Sequence, residues 1–389
     1  MKTQNIIMGI SISLLILVSS CSKDSSSTDP VPPAPCTVDA PATYSFTYEG
    51  ENTVSYTGQQ ARLAKAYEVY NVLDRSLTSS TTVVAITMSE LDAIIDDANS
   101  KLLTKTAEND SKWGLYSHTD VITDLNEILQ TYCDNSATFA LGTAASEGVA
   151  GWAGSYQVDA NGWEGDQQFA KMLIGALCLE QINYDYLTKM MDCAAGETWC
   201  TDNTDRTDTY TQREHYYDEG FGYVYGLDDN ELDAQINNGL LLGKYLNKHD
   251  GTDYSMIDFR QQAYDAFKKG RQAVVENCAT VLDQQIAIIN TVLSKVVAWH
   301  AADYLRSSAG QLSTDPVKYH HSVSEAWGFI YSLQFTKMSN GLPLFSSSEV
   351  NGMIAELEAG DGSNNGAHGL NAQQLNAMAD MIDAAVGTY

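Results

Sequence analysis

Two short segments carry the residue types that could do chemistry. His215-Tyr-Tyr-Asp218-Glu219-Gly-Phe-Gly222-Tyr-Val-Tyr-Gly226-Leu227 aligns without a gap against His321-Ser-Val-Ser-Glu325-Ala-Trp-Gly328-Phe-Ile-Tyr-Ser332-Leu333, an offset of 321 − 215 = 106 residues. In each, a histidine precedes a glutamate by four positions, and residues four apart on a helix share a face. Each segment therefore projects an imidazole and a carboxylate together. That pairing suits zinc, iron or manganese, and Asp218 adds an oxygen donor beside Glu219. Further along the same face stand Gly222 and Gly226 in the first segment, Gly328 and Ser332 in the second. Residues this small let another helix approach closely or leave a cavity. The plainer alternative is a hydrogen bond from each histidine to its own glutamate, a satisfied polar pair that sets helix register.

A second polar cluster lies at Gly162-Trp163-Glu164-Gly-Asp-Gln167-Gln168-Phe-Ala-Lys171. Glu164, Gln167 or Gln168, and Lys171 fall on one helix face, which turns apolar at Ile174, Gly175 and Cys178. Buried polar groups need partners, and the expected partner is the polar tip at Glu214–Glu219. The remaining histidines, His118, His249, His300, His320 and His368, have no comparable neighbours in sequence. No nucleophile elbow, phosphate loop, dinucleotide fingerprint or H-E-x-x-H occurs, so nothing in the motifs supports a hydrolytic enzyme.

The elements that must position these residues read as all-α. Alternating aromatic and polar residues over 43–58, with Gly50 near the turn, predict a short β-hairpin. Helical periodicity begins after Gly58 and continues in helices expected at 89–105, 119–132, 164–190, 211–225, 229–247, 256–276, 280–307, 320–339, 347–358 and 371–386. Loops are expected at 106–117, 191–209 and 359–369. The repeat implies an ancient duplication: a helical domain over 43–389 made of two similar halves, about 59–227 and 228–345, plus C-terminal helices.

The first 42 residues set the address. Lys2 followed by the apolar run Ile6–Val18 has the form of a signal peptide over 1–20. Val18-Ser19-Ser20-Cys21 resembles the bacterial lipobox, which implies lipidation of Cys21 and a membrane anchor through the N-terminal lipid. Residues 21–42, rich in serine and proline, form an extended tether. Ser22 favours the outer membrane. No later apolar stretch of about 18 residues is evident. Net charge is −28, or −29 once the single positive charge of Lys2 leaves with residues 1–20. So acidic a surface excludes nucleic acid and anionic lipid as partners. Six cysteines remain after Cys21, and in an oxidising envelope some should pair; Cys193 and Cys200, closing a short loop, are the expected bridge.

Tyr56-Thr-Gly58-Gln59-Gln-Ala-Arg62, the Gly162–Ala176 segment, Glu214-His215-Tyr-Tyr-Asp218-Glu219 and His321-Ser-Val-Ser-Glu325 together resemble a bacterial envelope family, domain of unknown function 4856, from about residue 44 to the C-terminus. That family is in turn similar to imelysin-like proteins, duplicated helical bundles linked to iron acquisition. Their Gly-x-His-x-x-Glu motif is not reproduced, because Glu214 precedes His215 directly and Asp218 takes the acid position. The resemblance implies an outer-membrane lipoprotein that binds a metal ion, iron before zinc, or a metal chelate, with an outer-membrane transporter as an expected partner. The expected ligands are His215, Asp218, Glu219, Glu164, His321 and Glu325. The competing expectations are a non-catalytic structural or interaction module and, behind it, a metallopeptidase.

Overall fold

Tyr44, Phe46, Val54 and Tyr56 flank a tight antiparallel hairpin in the computed structural model, β1 (Thr47–Tyr48) paired with β2 (Glu51–Asn52). Glu49 and Gly50 at its turn both have positive φ, 51° and 89°, as a two-residue hairpin turn of the primed type requires. The structure describes residues 36–74, 84–95, 99–191, 203–204, 206, 209–227, 241–252 and 254–389. The signal segment, Cys21, most of the tether, Cys193, Cys200 and most of the helix expected over 229–247 lie outside the described residues.

Helices follow: α1 (Thr57–Leu73), α2 (Met88–Ile95) and α3 (His118–Ala140). Within the expected helix 89–105 the described residues hold α2 up to Ile95 and a single turn, Leu102–Lys105, behind Lys101 at φ 54°. Helix α3 outruns its expected end at residue 132, because Phe139 is buried against Tyr132 and Trp152. A second hairpin, β3 (Gly151–Ala153) with β4 (Tyr156–Val158), turns at Gly154; its strands are too short to show as an alternation. The long helix α4 starts α-helical at Gly165–Leu173. It continues through π-helical turns at Ile174–Leu179 and Gln181–Tyr186 and closes at Leu187–Lys189.

Beyond it lie α5 (Gln212–Tyr225), α6 (Leu242–Asn247), α7 (Phe259–Val275), α8 (Ala279–Gln311), α9 (Pro316–Ser332), α10 (Ser347–Ala359) and α11 (Ala372–Val386). Asp315 caps α9 by accepting from Lys318 N, with Pro316 at the first turn. The helix therefore starts four residues before the expected position 320. It ends at Ser332, well short of 339.

Helix α8 is the axis of the core, packed by α7, α9 and α11. It is long and apolar enough to cross a membrane, which the sequence reading missed, yet two-thirds of its most apolar window is buried within the protein. Cys278, just before α8, is bridged to Cys36 with their Cα atoms 6.0 Å apart. Residues from Cys36 to Tyr389 form one compact unit, so the body begins at Cys36, inside the expected tether. The two repeat segments are α5 and α9. The first packs on α1 and α4 and the second on α8 and α4, so α4, a helix from the first of the two expected halves, packs on both.

Candidate functional site

The small-residue stripes are close-approach surfaces. A Cβ on Gly222 would lie 2.5 Å from Tyr56 Cβ, and one on Gly328 would lie 2.5 Å from Lys171 Cβ. These contacts set which polar side chains meet each histidine–glutamate pair.

In the first copy, Thr211 and Glu214 form a reciprocal capping box at the start of α5. Glu214 is then clamped by Arg206, whose two terminal nitrogens each lie 2.8 Å from a carboxylate oxygen. Burial pushes its carboxyl up, but Arg271, Arg206 and the Thr211 N–H outweigh that and hold it below the ordinary range. Asp218 is fully buried and accepts from Arg271 Nε (2.8 Å), Tyr44 OH (2.6 Å) and Ser55 N (3.3 Å). Burial raises its pKa against the pull of Arg271. Asp218 thus belongs to a structural ion pair and does not turn to His215. The His215 ring stacks on Tyr210 (centroids 4.6 Å, planes 15° apart), and its Nε2 lies 3.9 Å from Glu219. Glu219 accepts instead from Gln59 Nε2 at 3.1 Å. The other ring nitrogen, Nδ1, is buried with no hydrogen-bond partner among the described residues.

The second copy repeats this plan with charged partners. His321 stacks on Tyr156 (4.7 Å, 18°). Its Nδ1 meets Glu164 at 2.7 Å, and its Nε2 lies 3.6 Å from Glu325. Where Gln59 donates to Glu219, Lys171 Nζ donates to Glu325 at 3.1 Å, and Tyr245 OH donates to the same oxygen at 2.9 Å. Burial raises the Glu325 carboxyl, but Lys171, His321 and Tyr245 bring it below the ordinary range. Glu164 goes the other way: burial lifts it well above, with Lys171 opposing. Asp166, fully buried and hydrogen-bonded to Glu164, is lifted too. Burial lowers the His321 pKa, against the pull of Glu325. Lys171 also donates to Gln167. Glu164 and Lys171 therefore meet His321 and Glu325 on α9, not the expected Glu214–Glu219 tip.

The six expected metal ligands thus divide. His215 and Glu219 sit side by side, Asp218 is taken by Arg271, and Glu164, His321 and Glu325 come together. Donor types in the last group suit a metal, but the arrangement does not. Both imidazole nitrogens already face carboxylates and an ammonium holds Glu325. Among the described residues, no three histidine, cysteine, aspartate or glutamate side chains are grouped so as to hold a metal ion.

The profile of a family described as Domain of unknown function (DUF4856) matches residues 41–388. The chain belongs to this family. No curated protein and no solved structure matches it. The family match takes in both histidine–glutamate helices, the helices packed on them, and the Cys36-tethered core except for residues 36–40 and 389.

Two groupings in this DUF4856 chain had no sequence signal. His249 and His300, 51 residues apart, are both fully buried with their Nε2 atoms 3.2 Å apart. Separately, α3, the 159–163 turn, the start of α4, α9 and α10 enclose a cleft of about 600 Å³. Asp159 followed by Asn161-Gly162 could have marked its turn, since Asp159 accepts from the Asn161 and Trp163 backbone N–H groups. Nothing in the sequence brings Glu358 to it.

Proposed function

We propose that this DUF4856 protein is a non-catalytic binding module of the bacterial cell envelope, anchored through lipid on Cys21, with the cleft as its working surface. The observation that carries the reading is a contrast in closure. Both histidine–glutamate pairs are engaged by stacked tyrosines and by donors from neighbouring helices, whereas the cleft stands open. The Cys36–Cys278 bridge supports an oxidising compartment, in keeping with the signal peptide and lipobox.

Under this reading His321 and His215 hold helices in register. Natively purified protein should carry no stoichiometric iron or zinc, and His321→Ala should lower the melting temperature without changing metal content. Near-stoichiometric metal lost in His321→Ala would replace this reading with metal acquisition. Chelator-sensitive cleavage of an unstructured protein would replace it with a peptidase.

A further inference from the structure

The cleft between α3, α9 and α10 has an unusual charge balance. Five of its lining residues are acidic (Asp120, Asp124, Glu127, Asp159 and Glu358), and among the described residues no lysine or arginine lines it. Its three less exposed carboxylates are held only by neutral donors. Asp124 accepts from Tyr331 OH at 2.6 Å, and Asp159 from the Asn161 and Trp163 backbone N–H groups at 2.8 and 2.9 Å. Glu358 accepts from Trp327 Nε1 at 2.8 Å and Trp163 Nε1 at 3.0 Å. Asp218 and Glu214, by contrast, are neutralised by Arg271 and Arg206. Desolvation raises the pKa of all three cleft carboxyls, the cost of packing negative charge without a counter-ion.

An independent observation points to an occupant. Gln168 lines the cleft and is 7 % exposed, yet its side-chain amide has no hydrogen-bond partner among the described residues. A nearly buried amide left unpaired is costly unless something from outside meets it.

We propose that this cleft binds a linear organic polycation bearing several ammonium groups. The proposal rests on the cleft being the working surface of the protein. Anions are repelled by the five carboxylates, and a neutral ligand would leave their charge unopposed. A bare divalent ion needs several oxygens converging at one point, whereas these carboxylates are tied to separate donors around the wall. Ammonium groups spaced along an alkyl chain can meet separated carboxylates. The intervening methylenes lie on Ile128, Ile354 and the stacked pair Trp327–Tyr331 (centroids 5.5 Å, planes 12° apart), where aromatic faces also favour cations. Gln168 then receives an N–H.

The test is calorimetric titration of the full chain with spermine at 0.15 M salt, approximately the physiological level. One saturable site is expected. Gln168→Ala, which changes no charge, should weaken it by about tenfold or more, roughly the loss of one hydrogen bond to a charged group. Glu358→Gln should do the same, while Glu68→Gln on the exposed side of α1 should leave it unchanged. Spermine that binds only diffusely, equally well to both cleft variants, or no better than calcium displaces it, overturns the proposal. If one cleft variant fails to melt cooperatively, the other decides. Loss of spermine binding with no stoichiometric metal sinks only the ligand assignment. Stoichiometric metal on His321 sinks the underlying reading as well.

Discussion

Lys171 Nζ lies 3.1 Å from Glu325 Oε1, with side chains only 4 % and 7 % exposed. The pair is the charged counterpart of Gln59 and Glu219 in the other histidine–glutamate helix. Removing one partner of a buried ion pair strands the other, at about 3–5 kcal/mol. Lys171→Met should therefore destabilise by about 3 kcal/mol, somewhat moderated because Tyr245 still donates to Glu325. Lys171→Met combined with Glu325→Leu should recover more than half of that loss in urea denaturation. A double variant no more stable than the single would show that the pair does not act as a unit.

His249 and His300 face each other inside the core, and each is held neutral. Burial lowers His249 from 6.5 to about 4, with Lys248 adding to the effect. His300, fully buried beside it, is also lowered well below its ordinary value, burial first and His249 second. The unfolded chain takes up protons at these histidines below about pH 6.5 while the native state does not. Stability is thus fully present above that pH and falls as pH drops toward 4. His249 alone accounts for about 3 kcal/mol over that range, at 1.36 kcal/mol per unit. His249→Gln should flatten the decline in denaturation midpoint between pH 6.5 and 4. An unchanged slope would mean the histidines protonate in place.

Cys36 and Cys278 are 242 positions apart. Closing so long a loop restricts the unfolded chain by about 5 kcal/mol in the chain-entropy account. Cys36→Ser with Cys278→Ser, or reduction before unfolding, should shift the denaturation midpoint by nearly that amount. A shift below about 1 kcal/mol would indicate that the hairpin end frays in the native state.

The legible part of the candidate site was local. That His321 and Glu325 share a face follows from a spacing of four, and the capping box at Thr211–Glu214 follows from residues three apart. The glycines at 222 and 328 announced something unusual, and the structure makes it close helix contact. What could not be read was the identity of the neighbour. Arg271 meets Asp218 across 53 residues and Lys171 meets Glu325 across 154. Asp218, expected from the sequence as a metal ligand, is instead paired with a guanidinium that no local pattern announces.

Helix faces and helix caps were therefore determined by the sequence alone, since each depends on backbone geometry over a few residues. The choice of α4 as partner for α9, the facing of His249 on His300, and the cleft at Glu358 were decided only by the tertiary structure. Hydrophobic periodicity specifies that a face will be buried, not against which helix. The charge and hydrogen-bonding state of every polar residue on that face waits on the answer.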